Sequence, residues 1–281
     1  MSLLRLLTEA ARSISCSDLN QRIPVQGKDE VAELTLTFNQ MLARLQAAFN
    51  SQQDFLNDAG HELRTPLTIV RCYLEQPNSD PQEQQEALAI VKDELKRMTR
   101  LIEDLLLLAK AERPDFLNLE ILDVSNFTDR LYAKVQSLGD RNWQLETKGS
   151  GHLLADPQRL TEALLNLAQN AVQHTTEGQV IAFGSRLREG QASFWVRDTG
   201  KGIPQSEQQK IFERFYRGAS GSRSHGFGLG LAIVKKIAEA HGGRVEVISQ
   251  SDRGSTFTLV IPLERDFEKQ IRENCSLPNT L

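Results

Sequence analysis

The sequence of 281 residues predicts a multidomain chain whose front part is all-α and whose remainder is an α/β sandwich. Three observations carry this reading. From residue 1 to about 113, apolar residues recur at alternating spacings of three and four, the period of helices packed side by side. Arg113-Pro114 then interrupts the pattern. Beyond it, short runs with the period of strands alternate with amphipathic helical segments as far as Pro262.

The first helix is read from Leu3, Leu7, Ala10 and Ile14, the second from Val31, Leu34, Phe38, Met41, Leu45 and Ala48. Between them Ser17-Asp18-Leu19-Asn20-Gln21-Arg22-Ile23-Pro24-Val25 forms an extended connector with a proline stop. A generic coiled coil explains the heptads but neither this connector nor the run Asp29-Glu30-Val31-Ala32-Glu33-Leu34. The whole resembles the HAMP signal-relay module. Members of that family carry a proline near the start of the first helix, where Met1 and Ser2 stand here. The departure suggests a chain cut just inside the module or beginning there, and the resemblance implies a transmembrane helix upstream.

The next helix carries Leu56, Leu63, Leu67, Val70 and Leu74 and is broken by Gln76-Pro77-Asn78-Ser79-Asp80-Pro81. The returning helix, from about Pro81 to Glu112, repeats Leu88, Val91, Leu95, Met98, Ile102, Leu105 and Ala109. A hairpin with one long apolar seam has too narrow a core to stand alone. Pairing two of them into a four-helix bundle buries the seam, so a homodimer is expected, with one His61 per chain on its outside.

In the α/β part, Leu119 to Val124 reads as a strand, and Ser125 caps a helix through Leu138. Gln144 to Thr147 and His152 to Ala155 are short strands. Asp156-Pro157 is an N-cap followed by a first-turn proline, opening a helix to about His174. Val180 to Arg188, Ala192 to Arg197, Arg244 to Ser249 and Ser255 to Pro262 complete a mixed sheet, with helices on one face.

Chemistry concentrates first at His61. A neutral imidazole is nucleophilic near neutral pH, and the adjacent Glu62 can accept the Nδ1 proton and so leave Nε2 free to attack phosphorus. Pro66 cannot donate to the carbonyl of Glu62, so a bend is expected one turn after His61. A lone helical histidine is ordinarily a surface residue. The complete string Phe55-Leu56-Asn57-Asp58-Ala59-Gly60-His61-Glu62-Leu63-Arg64-Thr65-Pro66-Leu67, however, resembles the phospho-acceptor box of bacterial sensor histidine kinases.

A second concentration lies about a hundred residues on. Asn166 and Asn170, four apart on the helix from Pro157, share one face, while Leu160, Leu164, Leu167 and Ala171 can face the sheet. Amide oxygens suit Mg2+ bound to phosphates and water, although such a pair also makes an ordinary solvated face. Asp198-Thr199-Gly200-Lys201-Gly202-Ile203-Pro204 follows a strand. There the carboxylate can accept from the exocyclic amine of adenine, and Gly200 and Gly202 allow close approach; a plain Asp-Gly turn is the alternative. Gly226-Phe227-Gly228-Leu229-Gly230-Leu231 opens the helix Ala232 to Ala240 with backbone N–H groups suited to phosphate, so Gly226, Gly228, Leu229 and Gly230 form the expected cradle. A dinucleotide fold is a poor match, for no strand precedes these glycines.

Ile211-Phe212-Glu213-Arg214-Phe215-Tyr216-Arg217 and the small polar run Gly218 to His225 read as an aromatic anchor and a closing lid, the alternative being a core aromatic cluster beside a plain surface loop. Arg214 and Arg217 are either γ-phosphate contacts or solvated charges. In their order these boxes resemble the GHKL ATP-binding fold of histidine kinases, gyrase and related ATPases.

The resemblance to a sensor histidine kinase spans about residues 1 to 265. It implies a HAMP-like segment at 1–50, a dimerisation and phosphotransfer hairpin at 51–114, an ATP-binding domain at 115–265 and a polar tail at 266–281. It implies ATP and Mg2+ as cofactors, Asn170 as the metal ligand, and a response regulator whose aspartate receives the phosphoryl group. In the resembled kinases a threonine placed as Thr65 is, together with the acid after the histidine, helps position the water that dephosphorylates the regulator; a plain helix-face threonine is the other reading. Two further classes remain: a dimeric relay that binds nucleotide without turnover, and a gyrase-type or chaperone-type ATPase, which leaves His61-Glu62 unexplained.

Composition narrows the field. With 33 basic and 37 acidic residues, net charge −4, nothing points to nucleic acid. Cys16, Cys72 and Cys275 are isolated, without metal-ligand or disulfide spacing. The most hydrophobic run, Leu105 to Ala109, is far too short to cross a bilayer. The fragment is therefore expected in the cytoplasm, with the full-length protein at the inner face of the bacterial membrane through an upstream segment.

Overall fold

A computed structural model of the chain describes residues 22–25, 30–75, 80–113, 115–218 and 226–263. The first expected helix and most of the connector, the break at 76–79, the lid run 219–225 and the tail lie outside these residues. The chain divides into two compact units, the first ending at Thr68 and the second beginning at Ile69.

One helix, α1, runs from Glu30 to Glu75 without interruption. The sequence pattern predicts two helices here, divided near residue 50. No Gly or Pro stands between Asp54 and Glu30, so nothing in the chain breaks the hydrogen-bond ladder there. Pro66 also lies inside the helix, which continues past it for two further turns and more. In the first unit the connector is tied to α1 by a reciprocal pair: Ile23 N donates to Asn39 Oδ1 (3.0 Å) and Asn39 Nδ2 to Ile23 O (2.9 Å). Ala32, Thr35 and Leu42 are buried. Leu34, Met41 and Leu45, three of the apolar positions that mark this helix in the sequence, are half exposed in the single chain.

The second unit begins its own elements with α2, Pro81–Lys110. Asp80 caps it, its side chain accepting from Gln82 N, and Pro81 occupies the first turn, where a missing N–H costs nothing. Then follow β1 (Glu120–Asp123), α3 (Val124–Val135), β2 (Asn142–Thr147), β3 (His152–Ala155) and α4 (Pro157–His174). The remainder is β4 (Val180–Arg188), β5 (Gln191–Asp198), α5 (Gly230–Ala240), β6 (Arg244–Gln250) and β7 (Gly254–Pro262).

Five strands form the main sheet in the order β2-β4-β5-β7-β6, with β2 and β4 parallel and the other pairs antiparallel. The strands β1 and β3, expected within that sheet, pair only with each other in a separate antiparallel ribbon. The cap of α3 is Asp123, whose side chain accepts from Asn126 N, and not Ser125; the helix starts two residues earlier than read.

Alternation on β5 sends Ala192, Phe194, Val196 and Asp198 to the buried face, where α3, α4 and α5 cover the sheet. Phe194 meets Phe127 of α3 edge-on at 5.6 Å. On α4, Leu160, Leu164, Leu167 and Ala171 are buried, as their spacing predicts. His241, just past α5, accepts from Asp156 N through Nε2 (3.0 Å), while its Nδ1 lies 2.8 Å from Ile237 O. Burial holds the pKa of that imidazole low, so it stays neutral and stitches the end of α5 to the start of α4.

Candidate active site

The second unit holds a cavity of about 390 Å³, within the range of small-molecule sites. Asn166, Asn170, Asp198, Gly202, Gly226, Gly228, Leu229 and Gly230 all line it, so residues from three separate stretches of sequence meet at one place. Gly200 is not on the lining; its N–H donates to Asp198 Oδ1 at 2.8 Å and orients the carboxylate.

Asp198 is almost fully buried at the end of β5. Burial raises its pKa, an effect opposed by backbone donors at Gly200 and Ser255 and then by His174 and Arg197. A buried acceptor of this kind, aimed into a cavity, can receive an amine N–H of a flat base.

The loop after it is clamped to the turn between β6 and β7. Ile203 N donates to Ser249 Oγ (2.7 Å) and Asp252 N to Lys201 O (2.7 Å). Gly202, at φ +66°, lies so close that a Cβ would come within 2.0 Å of Gln250 O. Only glycine satisfies both the backbone angle and the gap. The role of this turn was not legible in the sequence, since the two segments are some fifty residues apart.

At the other glycine run, α5 begins at Gly230 with Leu229 as its N-cap and no side-chain cap. Among the described residues no side chain caps its first turn at the cavity wall, the arrangement that receives phosphate oxygens. The run is held by the aromatic segment before it: Phe215 N donates to Gly228 O at 3.0 Å, and Phe212 packs edge-on against Phe257 at 6.3 Å. Gly228, at φ +73°, leaves no room for a Cβ, which would lie 2.7 Å from Tyr216 O. Of the two arginines considered, Arg217 lines the cavity, whereas Arg214 forms an ion pair with Glu112 at 3.2 Å and is absent from the lining.

The donor set fits a nucleotide triphosphate with a hard cation: amide oxygens on one wall, uncapped backbone N–H groups on another, and a buried acid. Three further lining residues, Arg97, Arg100 and Asp104, come from α2. Their spacing along a polar helix face gave no hint of this.

In the first unit His61 is exposed on α1, Glu62 is half-buried and Thr65 is exposed. Among the described residues no helix is long and apolar enough to cross a membrane.

An α/β sandwich with asparagines on one core helix, a buried acid closing a central strand and a glycine run opening another helix defines an ATP-binding domain of the GHKL class. Residues 155–265 match the histidine kinase-, DNA gyrase B- and HSP90-like ATPase family, residues 51–114 the His kinase A phospho-acceptor domain, and residues 2–47 the HAMP domain. The chain belongs to the sensor histidine kinases of bacterial two-component systems.

It is 35% identical over 247 residues to the signal transduction histidine-protein kinase ArlS of Staphylococcus haemolyticus, covering 83% of this chain and 53% of ArlS. It is 36% identical over 271 residues to the histidine-protein kinase/phosphatase MprB of Mycobacterium avium, covering 91% of this chain and 52% of MprB. The chain thus spans about half the length of these curated relatives. Among solved structures, full-length ShkA in complex with AMPPNP superposes with a TM-score of 0.55 at 25% identity, over 75% of this chain and 46% of that one.

Proposed function

We propose that the chain is an ATP-dependent protein-histidine kinase that phosphorylates His61 and passes the phosphoryl group to an aspartate of a response regulator. The observation that carries this reading is the convergence of Asn166, Asn170, Asp198 and the glycines Gly226, Gly228 and Gly230 around one cavity, on a chain that also displays His61 beside Glu62.

Asp198 receives the adenine amine, oriented by Gly200. The N–H groups from Gly226 to Gly230 hold the phosphates, and Leu229 caps α5 beside them. Asn170 is the residue to hold Mg2+, with Asn166 one turn away; when bound, the ion neutralises charge on the phosphate oxygens. Nε2 of His61 attacks the γ-phosphorus, the bond to the β-bridging oxygen breaks and ADP leaves. Glu62 accepts the Nδ1 proton. Positioning and charge neutralisation supply most of the acceleration. Phosphohistidine is a phosphoramidate, so onward transfer to a carboxylate is downhill enough to proceed. Thr65 and Glu62 place a water for the reverse task, dephosphorylation of the regulator.

The working unit is a homodimer, and residues 1–50, 51–114, 115–265 and 266–281 serve as relay, phosphotransfer hairpin, ATP-binding domain and tail. In support of the dimer, Leu67, Leu74, Leu88, Leu95 and Ile102 are exposed in the single chain, and covering such half-exposed side chains contributes about 1 kcal/mol each. The protein acts at the cytoplasmic face of the membrane, anchored by a segment upstream. Incubation with labelled ATP and Mg2+ should give acid-labile, base-stable label that is lost in His61→Gln. Label persisting in that variant would remove His61 as the nucleophile.

A further inference from the structure

We propose that Arg100, from the hairpin helix α2, is a phosphate-contacting residue of the nucleotide site, so that a bound triphosphate joins that helix to the α/β domain. The inference rests on the nucleotide reading given above and adds a contact from outside the ATP-binding domain.

Arg97, Arg100 and Asp104 lie on one face of α2 at spacings of three and four, and all three line the cavity that Asn170 and the glycine run also line. Their neighbours already occupy Arg97. Its Nη1 is 3.0 Å from Glu94 Oε2, and its guanidinium sits 5.6 Å from the centroid of the Phe227 ring, within the glycine run. This stacking sets α2 beside the loop where the phosphates would lie.

Arg100 stands one turn further along. It is exposed and, among the described residues, its side chain makes neither a hydrogen bond nor an ion pair, although Asp104 is near enough to interact with it electrostatically. An arginine held at the wall of a cavity by its helix, with its donors uncommitted, suits a planar bidentate grip on phosphate oxygens. Solvation is the competing use of that charge, and a polyphosphate bound in the same cavity outcompetes water because both partners are ionised. Adenosine offers no such partner.

The test uses the full chain, Mg2+ and calorimetric titration with AMPPNP, which is not turned over, and with adenosine. Arg100→Ala should weaken AMPPNP binding about tenfold and leave adenosine binding unchanged. Arg100→Lys should restore part of the loss. Hydrogen exchange should show AMPPNP protecting the amides of residues 97–104 in the wild type and not in Arg100→Ala. An unchanged AMPPNP affinity in Arg100→Ala, or an equal loss for adenosine, would overturn the proposal. Asp198→Asn separates the two readings. If it abolishes binding of both ligands while Arg100→Ala changes nothing, only the Arg100 contact fails; if it binds both normally, the nucleotide site itself is misassigned.

Discussion

Asp104→Asn should stabilise the second unit at neutral pH, which is unusual for the loss of a charge from a polar helix face. Asp104 sits half-buried on α2 beside the cavity, and its pKa is pushed from 3.8 to about 6. Burial is the main cause, Glu162 of α4 adds to it, Arg100 opposes it, and Glu103 adds a little more. Glu162 is itself raised by burial, although Arg159 pairs with it at 3.1 Å.

The sign follows from which state holds the proton. Between pH 3.8 and about 6 the folded chain keeps Asp104 protonated where the unfolded chain has released it. The stabilising contribution is therefore complete below pH 3.8 and is lost as the pH rises through 6. At pH 7.5 the folded chain carries the full cost of the buried charge. A shift of about two pH units corresponds to about 3 kcal/mol in a fully shielded site. Asp104 retains contact with water, so screening reduces this to about 1 kcal/mol. For a unit of this size that is roughly 2–4 °C in melting temperature.

The assay is thermal unfolding followed by the fluorescence of Trp143 and Trp195, both in the α/β part, at pH 7.5 and pH 5.0. Asp104→Asn should melt higher than the wild type at pH 7.5, with a smaller gain at pH 5.0. An equal gain at both pH values, or none at pH 7.5, would refute the reasoning.

Two other outcomes follow from the geometry. Gly202→Ala places a methyl group within 2.0 Å of Gln250 O at a positive φ, so the loop after Asp198 must move. The variant should lose about 2–3 kcal/mol in urea unfolding, and a midpoint equal to the wild type would mean that the clamp is looser than its hydrogen bonds imply. Thr65→Ala removes an exposed hydroxyl, so melting and autophosphorylation should be retained while regulator dephosphorylation falls at least tenfold; unchanged dephosphorylation counts against a water-placing role.

Where local chemistry decides structure, sequence and structure agree closely. Asp156-Pro157 opens α4 because a carboxylate caps Gln158 N and Arg159 N at 2.9 Å each, a matter of three neighbouring residues. The strand from Val180 to Arg188 ends where Glu189-Gly190 turns, both with positive φ. Asp123 and not the expected Ser125 caps α3, because its carboxylate accepts from Asn126 N at 2.7 Å. The division of α1 near residue 50 followed motifs rather than a breaker, and the backbone had no reason to obey it.

Residue order was enough to show the helical front, the alternating α/β remainder, the histidine with its neighbouring acid, and the asparagines, acid and glycines that come to line one cavity, because caps, periodicities and turn residues act over a few positions. Tertiary structure alone decided that β1 and β3 leave the main sheet, that the β6–β7 turn clamps the loop after Asp198, and that Arg97, Arg100 and Asp104 reach the cavity from α2. Those facts depend on which surfaces meet across tens of residues, and a polar helix face reads the same in sequence whether it meets water or a binding site.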